Sequence, residues 1–493
     1  MGQVSPVCEY VFEQNRYSKE EIREKFQFDN YSEVVIFIKK LKQYGILKMV
    51  KNNSEEKELS DLTDNEIEIA DVDADTEGYL YIFTFVGVLA VGDRVIKCLP
   101  KYLKRNCKKL DVMKQVVKVI ERYNSKKQVI SFSESENNNG KFNFISIMLY
   151  LLNDYYRNGL YYNEKNIVET NGEGEILWDN TINETFAIIS NNKPYYLEVK
   201  TKNIVSDDED YFRRLQRCII TECSDKLDKL QMLDLFDMDK LELSDEDLSQ
   251  FGDEEYIACR IEKEKSVQYV TQKQEILQAM YAYITHRASF ENDDNIILYG
   301  TNSFNLVWEN VCAEVFNNKL NDKISSIVSE SEQSIKDNTL ISIIEKPEWI
   351  YTADGGEHGH EAKDTLRPDL ISIYSKDNRK VFGIFDAKYY NIIFNANTIK
   401  SQPGIQDVTK QYLYQLAYSN FISKYNFDAV NAFLIPSDSE EALLLGKVKM
   451  NMFKNLYKQD LKDILVIKLP AHRMYEYYIN CKKIDINNEF DFL

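Results

Sequence analysis

RPDLISIYSKDNRKVFGIFDAKYY, residues 367–390, threads charged side chains into two apolar runs. DLISIY and VFGIFDAKYY are each long enough for a strand, with Asp369 at the start of the first and Asp386 and Lys388 near the end of the second. Carboxylate and ammonium groups are the side chains least willing to leave water, so their placement here needs a reason. If the two strands pair, the chain returns to where it began and both carboxylates converge on one edge. Like charges that close cannot both stay ionised cheaply unless a cation sits between them. Mg2+ suits Asp369 and Asp386 as ligands because it takes hard oxygens and keeps waters in its remaining positions, and Mn2+ can substitute. Lys388, two residues after Asp386, shares its face of the strand. Its ammonium can orient a water made more acidic by the cation, or neutralise charge developing on a phosphate.

The flanking sequence is α/β in pattern. Phe304, Val307, Trp308, Val311, Cys312 and Val315 fall at helical spacing. Ile343 and Ile344 read as part of a strand, TKQYLYQLAYSNFI (409–422) as a helix and AVNAFLIP (429–436) as a further strand. Helix, strands, helix, strand describes a mixed sheet with helices packed on it, and residues 291–493 are assigned to that domain.

At 493 residues the chain is too long for one core, so an α/β multidomain protein is expected. Residues 1–55 read as a winged-helix-like unit. Ser18 and Glu21 have capping-box spacing, and Val34, Val35, Ile38 and Leu41 line one face of a helix ending near Gly45, with Lys39, Lys40 and Lys42 mostly on the solvent side. Such a unit either places Tyr31, Ser32 and Glu33 near base edges or docks a protein. Residues 56–78 are acidic and poor in aromatics, as a linker is. Residues 79–290 form a mixed α+β middle region, beginning with two strands about a turn at Gly92-Asp93. Helices follow in LDVMKQVVKVIERY and FNFISIMLYLLNDYYRNGL, then strands in GEGEILWDNTI and KPYYLEVKTKN, then a mainly helical stretch over 207–290. Its acidic insert, DLFDMDKLELSDEDLSQFGDEE, lacks the glycine and ligand spacing of an EF-hand and reads as a solvated helical face.

Composition narrows the classes further. No apolar run reaches the roughly 18 residues of a membrane span, and MGQVSPVCEYVFEQ has no signal-peptide pattern, so a cytoplasmic protein without membrane contact is expected. Eight cysteines without any CxxC argue for reduced thiols rather than a zinc ribbon. With 61 Lys+Arg against 80 Asp+Glu the net charge is -19, which opposes nucleic-acid binding over the whole surface. Any DNA contact must be local or supplied by a partner. The chain has no GxxxxGK[ST] loop and cannot itself be an NTP-driven motor.

Pro368-Asp369 with Asp386-Ala387-Lys388 resembles the PD and DxK elements of the PD-(D/E)xK nuclease superfamily. That resemblance implies a C-terminal PD-(D/E)xK nuclease fold with Asp369, Asp386 and Lys388 catalytic. It implies Glu309, from the helix before the motif, as a third acidic group, with Glu314 in reserve. Gln411, Tyr414 and Gln415, on the helix after the DxK strand, are then the expected contacts to the DNA backbone. YGTNSFNLVWENVC, RPDL, FDAKYYN and PGIQDVTKQYLYQLAY together are similar to the LlaJI-type restriction endonucleases, which are in turn similar to McrC, the nuclease subunit of McrBC. The resemblance covers residues 290–435, and more loosely FVGVLAVGDRVIKCLPKYL and GEGEILWDNTI. It implies a Mg2+-dependent subunit of a phage-restriction system that cuts double-stranded DNA with an McrB-like AAA+ GTPase. Residues 79–103 and 163–200 would be the segments that enter the GTPase ring.

A different class of function competes: a non-catalytic adaptor that binds and regulates a ring NTPase and DNA. Two further patterns carry weaker chemistry. Glu198-Val199-Lys200, with Asp179 upstream, repeats the ExK spacing, but no proline precedes Asp179 and no FxxxWE helix stands before it. Alternating Glu and Lys on an exposed strand is common, and a structural role is expected. His358 and His360, in the Gly-rich ADGGEHGHEAKD, are expected on a loop over the site or against DNA rather than at a zinc ion, having no cysteine partners.

Overall fold

The computed structural model describes residues 6–51, 67–68, 79–104, 107–131, 144–206, 210–291, 296–328, 337–353, 356–394, 398–453 and 461–490. Of the stretch expected as an acidic linker, 56–78, all but Ile67–Glu68 lies outside them. The fold is mixed α/β with several sheets. It divides into two compact units: Met1–Gly140 with Leu298–Leu493, and Lys141–Ile297. The chain thus leaves the larger unit, builds the smaller one and returns.

In the larger unit, Ser18 accepts the Glu21 N–H (3.1 Å) and Glu21 accepts the Ser18 N–H (2.7 Å), the two reciprocal bonds of a capping box, and the helix Lys19–Lys25 follows. Tyr31–Gln43 is the next helix, burying Val34, Phe37, Ile38 and Leu41. Gly45, at φ +66°, takes the left-handed turn that lets the chain leave that helix and enter the strand Leu47–Lys51. Tyr79–Phe83 pairs with Leu47–Lys51 in one sheet, whereas Val86–Val91 and Arg94–Leu99 form a hairpin in another. The region expected to give two strands therefore gives three, split between two sheets. In the second sheet Val86–Val91 lies beside Ile296–Thr301. Gly87 and Gly300 meet there so closely that a Cβ on Gly87 would stand 2.2 Å from the Tyr299 carbonyl oxygen. Only glycine permits that approach.

The C-terminal part of this unit holds a five-stranded sheet in the order Leu370–Lys376, Arg379–Ala387, Asp428–Ser437, Ile464–Pro470, Leu443–Val448. The first pair is antiparallel, the next two are parallel and the last is antiparallel. Parallel neighbours need a crossover, which the helix Ile405–Lys424 supplies between the second and third strands. Phe382 and Ile384 pack with its Tyr414, Tyr418, Phe421 and Ile422. Phe385, pointing the other way, meets Phe316 just past the helix Phe304–Val315. That helix buries the expected set: Phe304, Val307, Trp308, Val311, Cys312 and Val315. Its fully buried Trp308 donates its indole N–H to the Leu434 carbonyl at 3.1 Å.

Several local expectations change. Ile343 ends a 3-10 turn, Leu340–Ile343, and neither it nor Ile344 lies in a strand. The backbone there bonds to a neighbouring loop, with Ile341 N–H reaching the Leu320 carbonyl, so no strand ladder is available. His358 and His360 lie on the strand Gly356–Glu361, paired with Glu348–Ala353, rather than on a loop. Lys39 is exposed but Lys40 and Lys42 are half-buried.

In the smaller unit GEGEILWDNTI contributes only the short strand Glu175–Ile176 before the helix Trp178–Glu184. Lys193–Tyr196 forms a hairpin with Ala187–Ser190, and Lys200–Ser206 pairs with Glu164–Thr170. The acidic insert is not a helical face. It runs as irregular chain with 3-10 turns at Leu233–Phe236 and Leu248–Phe251, because Thr221 and Ser224 of the helix Tyr211–Lys229 accept its backbone N–H groups at Leu243 and Leu241. The eight cysteines are free thiols, four of them buried. No helix among the described residues is long and apolar enough to cross a membrane.

Trp308 fills the space between its helix and the sheet, and Trp308→Ala should lower stability by about 3–5 kcal/mol through the cavity it leaves. Thermal or urea unfolding of the purified variant checks this; an unchanged midpoint would contradict the packing described.

Candidate active site

The register Leu370↔Phe385 carries the first two strands of the five-stranded sheet to a common edge, where Asp369 stands beside Asp386. Asp369 accepts the Ala387 N–H at 2.9 Å, and its carboxyl group lies near enough to that of Asp386 for the two to interact electrostatically. Asp386 is 5% exposed. Lys388 continues the parallel pairing, donating its backbone N–H to the Leu434 carbonyl at 2.9 Å, the same oxygen that receives the Trp308 indole. Its Nζ lies 2.8 Å from Asp386 Oδ2 and 3.1 Å from Asp407 Oδ1. Asp369, Asp386 and Lys388 are thus brought together.

The electrostatics follow from burial. Burial pushes the Asp369 carboxyl up to about 8, and the negative charges of Asp386 and Glu309 add to the rise against the pull of Lys388. Asp386 is raised as well, again by burial first, with Lys388 opposing. For Lys388 burial works to lower the ammonium, but Asp386, Asp407 and Asp369 outweigh it and hold it above the ordinary lysine value. The lysine is therefore a fixed positive charge in a site that otherwise gathers protons.

Glu309, on the helix Phe304–Val315, belongs to the same electrostatic cluster. Burial raises it, Asp386 adds to the rise, and Lys388 and a hydrogen bond from Asn305 oppose it. Glu314 does not take part: it is 2.8 Å from Arg122, and its carbonyl receives the Lys483 ammonium.

Gln411, Tyr414 and Gln415 do not face solvent, contrary to the expected contact with DNA. Gln411 is 0% exposed, and its amide donates to the carbonyls of Ile384 (3.0 Å) and Ala432 (3.4 Å), clamping two neighbouring strands. Tyr414 donates its hydroxyl to the Arg367 carbonyl at 2.9 Å, which fixes the chain just before Pro368-Asp369, and Gln415 is buried. The reason is periodicity: positions 411, 414, 415 and 418 lie on the helix stripe that faces the sheet. These side chains brace the motif from within.

Asp407, which receives Lys388, was missed by the sequence reading. It sits in the first turn of the helix Ile405–Lys424, where an acidic residue is explained by the helix dipole alone. Only the folded chain shows that it also faces the motif lysine.

The ability of these groups to hold a divalent cation can be tested on the donor set. Asp369 and Asp386 offer oxygen donors alone, and the buried Asp386 Oδ2 faces the Lys388 ammonium at 2.8 Å. Among the described residues no group of three or more His, Cys, Asp or Glu gathers as metal ligands, so Glu309 does not complete a protein cage. Mg2+ needs only one or two carboxylates, with water and phosphate oxygens in its other positions, and the oxygen-only pair fits it.

The second ExK does not assemble. Asp179 and Glu198 are exposed, and Lys200 turns to Glu184 (3.7 Å) and Thr170 (3.2 Å). His358 and His360 are exposed and stack on Tyr351.

Paired carboxylates and a lysine at the edge of a mixed sheet define a class of protein, and comparison with known proteins gives that class a family. The chain matches the LlaJI restriction endonuclease family over residues 85–471 and belongs to it. It is 27% identical over 427 residues to a Bacillus subtilis (strain 168) protein, the type II restriction enzyme BsuMI component YdjA, with 85% of each chain covered. Among solved structures it is similar, at 13% identity and a TM-score of 0.38, to a chain in a half-complex of Thermococcus gammatolerans McrB AAA+ hexamers with bound McrC, covering 96% of this chain and 99% of that one. A second Thermococcus gammatolerans McrBC complex gives 13% identity and a TM-score of 0.22, covering 56% and 79%.

A carboxyl raised in the folded state contributes stability that is full below its unfolded value and lost as pH rises through its folded value, here about 8 for Asp369. In chelator, Asp369→Asn should therefore gain stability relative to the parent between pH 5 and pH 9, by on the order of a few kcal/mol. Thermal melts of both proteins across that range measure it, and a difference that does not grow with pH would contradict the buried pair.

Proposed function

We propose that the chain is the Mg2+-dependent endonuclease subunit of a restriction system and hydrolyses phosphodiester bonds of double-stranded DNA at a PD-(D/E)xK site. The observation that carries this reading is the meeting of Asp369, Asp386 and Lys388 on one sheet edge, 2.8 Å separating the last two, in a chain of a restriction endonuclease family. The mixed sheet, with the helix Phe304–Val315 before the motif and Ile405–Lys424 after it, supports reading residues 291–493 as the PD-(D/E)xK nuclease fold. Mg2+, or Mn2+ in its place, would be held by Asp369 and Asp386 and would supply Lewis acidity at the phosphate together with a more acidic water.

The chain's own groups do the rest. Lys388, held protonated, donates to the attacking water or to a non-bridging phosphate oxygen as charge grows there. Asp407, 3.1 Å from Lys388, would keep that ammonium aimed were Asp386 engaged by a cation. Water oxygen bonds to phosphorus as the bond from phosphorus to the leaving oxygen breaks; bulk water takes the proton that the attacking water loses and returns one to the leaving oxygen. Glu309 adds negative charge behind the pair and helps to retain a dication. Gln411 and Tyr414 hold the strand ends so that this geometry exists before DNA arrives.

An McrB-like AAA+ GTPase is the partner that the family resemblance implies. Support comes from the smaller unit, where Phe186 is 99% exposed, Leu197 75% and Ile189 73%, with Trp178, Ile182 and Ile188 also exposed. These residues fall within 163–200, on the hairpin Ala187–Tyr196 and next to it, and soluble chains seldom leave that much apolar surface bare unless something docks there. The same surface favours the second reading, an adaptor without catalysis, and cleavage separates the two.

Asp386→Ala and Lys388→Ala should each lower DNA cleavage at least about 100-fold, as loss of a transition-state electrostatic group does, while Glu198→Ala cuts normally. A gel assay with Mg2+, run with and without the partner, measures this; undiminished cutting by Asp386→Ala would remove the assignment. Independently, Phe186→Asp with Ile189→Asp should abolish stimulation of the partner's GTP hydrolysis in a phosphate-release assay. Full stimulation by that variant would place the docking surface elsewhere.

A further inference from the structure

The ribbon Glu348–Ala353 and Gly356–Glu361 has two chemically different faces. Register places Trp349 opposite His360 and Tyr351 opposite His358, so one face carries four rings. Tyr351 stacks with His358 at 5.2 Å and with His360 at 5.9 Å, the latter at an interplanar angle of 7°. Both large rings are open to solvent, Trp349 73% exposed and Tyr351 53%. The reverse face carries Glu348, Glu357 and Glu361, and Glu348 lies over Gly359.

The root of the ribbon is closed by its own flanks, just before Arg367 in the chain. Ala362 N–H reaches the Pro347 carbonyl (2.7 Å) and Thr365 reaches the Glu345 carbonyl (2.6 Å). The chain then passes Arg367, whose carbonyl receives Tyr414, and arrives at Asp369, whose own carbonyl receives Asn318 at 3.2 Å. The ribbon is therefore mounted on the same backbone that carries the first carboxylate.

We propose that the ring face of this ribbon is a DNA-contacting surface that stacks on unpaired bases near the bond to be cut, an inference that rests on the nuclease reading above. Charge decides which face meets DNA, since the three glutamates repel phosphate. Composition decides the mode: the ring face offers no Arg, Asn or Gln to read base edges in a groove, whereas flat rings bind any base by its π-face. Net charge explains why such a contact is useful. A chain at -19 draws little from phosphate attraction, and stacking supplies affinity that does not depend on it.

The test uses the full chain carrying Trp178→Phe, so that fluorescence reports the buried Trp308 and the exposed Trp349. EDTA blocks cleavage, salt is low, and the probes are a single strand of about 20 nucleotides, a duplex with a central unpaired bubble, and a blunt duplex, lengths chosen to exceed the 4–16 nucleotides that one such site spans. The single strand and the bubble should quench Trp349 emission more strongly than the blunt duplex. Trp349→Ala with Tyr351→Ala should weaken binding of the bubble about tenfold, the loss expected for one stacked base, with an unchanged melting temperature because both rings are exposed. No quenching by any of the probes, equal quenching by the blunt duplex, or unchanged affinity of the double variant would overturn the proposal. So would a double variant that keeps its DNA affinity but loses stimulation of the partner, which would make the face a protein contact. The outcomes also separate this proposal from the nuclease reading. Quenching by a chain that never cleaves with Mg2+ would end the nuclease reading and leave the ribbon as a DNA contact. Cleavage by the double variant at an unchanged KM, without quenching in the parent, would end the ribbon proposal alone.

Discussion

A buried ammonium between carboxylates is the interaction on which the rest of this structure depends. Asp386 and Asp369 meet where water has little access, and two such groups would repel strongly if Lys388 did not stand 2.8 Å from one of them. Lys388 in turn is held from the far side by Asp407 at 3.1 Å. Buried charges of this kind rarely add net stability, because desolvation costs about as much as the attraction returns. The sheet edge therefore carries an arrangement that packing alone would not favour, and the surrounding fold offsets it.

The offset comes from hydrogen bonds that leave the motif little freedom. The Leu434 carbonyl receives both the Lys388 backbone N–H and the Trp308 indole, so the helix before the motif and the strand after it meet at one atom. Gln411 spans two strands from the helix Ile405–Lys424, and Tyr414 ties down the chain before Asp369. Immediately past the lysine, Tyr389 donates to Glu13 at 2.5 Å and accepts the Lys101 N–H at 3.2 Å. A residue next to the site is thereby fixed by residues several hundred positions away.

Local periodicity was readable because it reports which face of an element is apolar. The stripe Phe304, Val307, Trp308, Val311, Cys312, Val315 is buried as its spacing requires, and the capping box at Ser18 and Glu21 forms because both partners lie within one helical turn. At Gln411, Tyr414 and Gln415 the family resemblance implied contacts to DNA, whereas their helical spacing places them against the sheet, where backbone carbonyls receive Gln411 and Tyr414. Ile343 failed for a different reason: an apolar pair fits a strand or a buried turn equally well, and the neighbouring loop took its backbone bonds.

The sequence by itself determined that Asp369, Asp386 and Lys388 would share one sheet edge, since two short strands joined by a tight turn have one register that buries their apolar residues. It also determined the family, through segments that stay recognisable from residue 85 to 471. Only the tertiary structure decided which further groups face the motif: Asp407 meets the Lys388 ammonium at 3.1 Å, while Arg122 takes up Glu314. It also decided that the rings of 349–360 gather on one face while the glutamates gather on the other. The physical reason is range. Periodicity and turn chemistry act over a few residues, whereas partners such as Lys388 with Asp407, or Tyr389 with Glu13, are set by how distant segments close on one another, which no local pattern encodes.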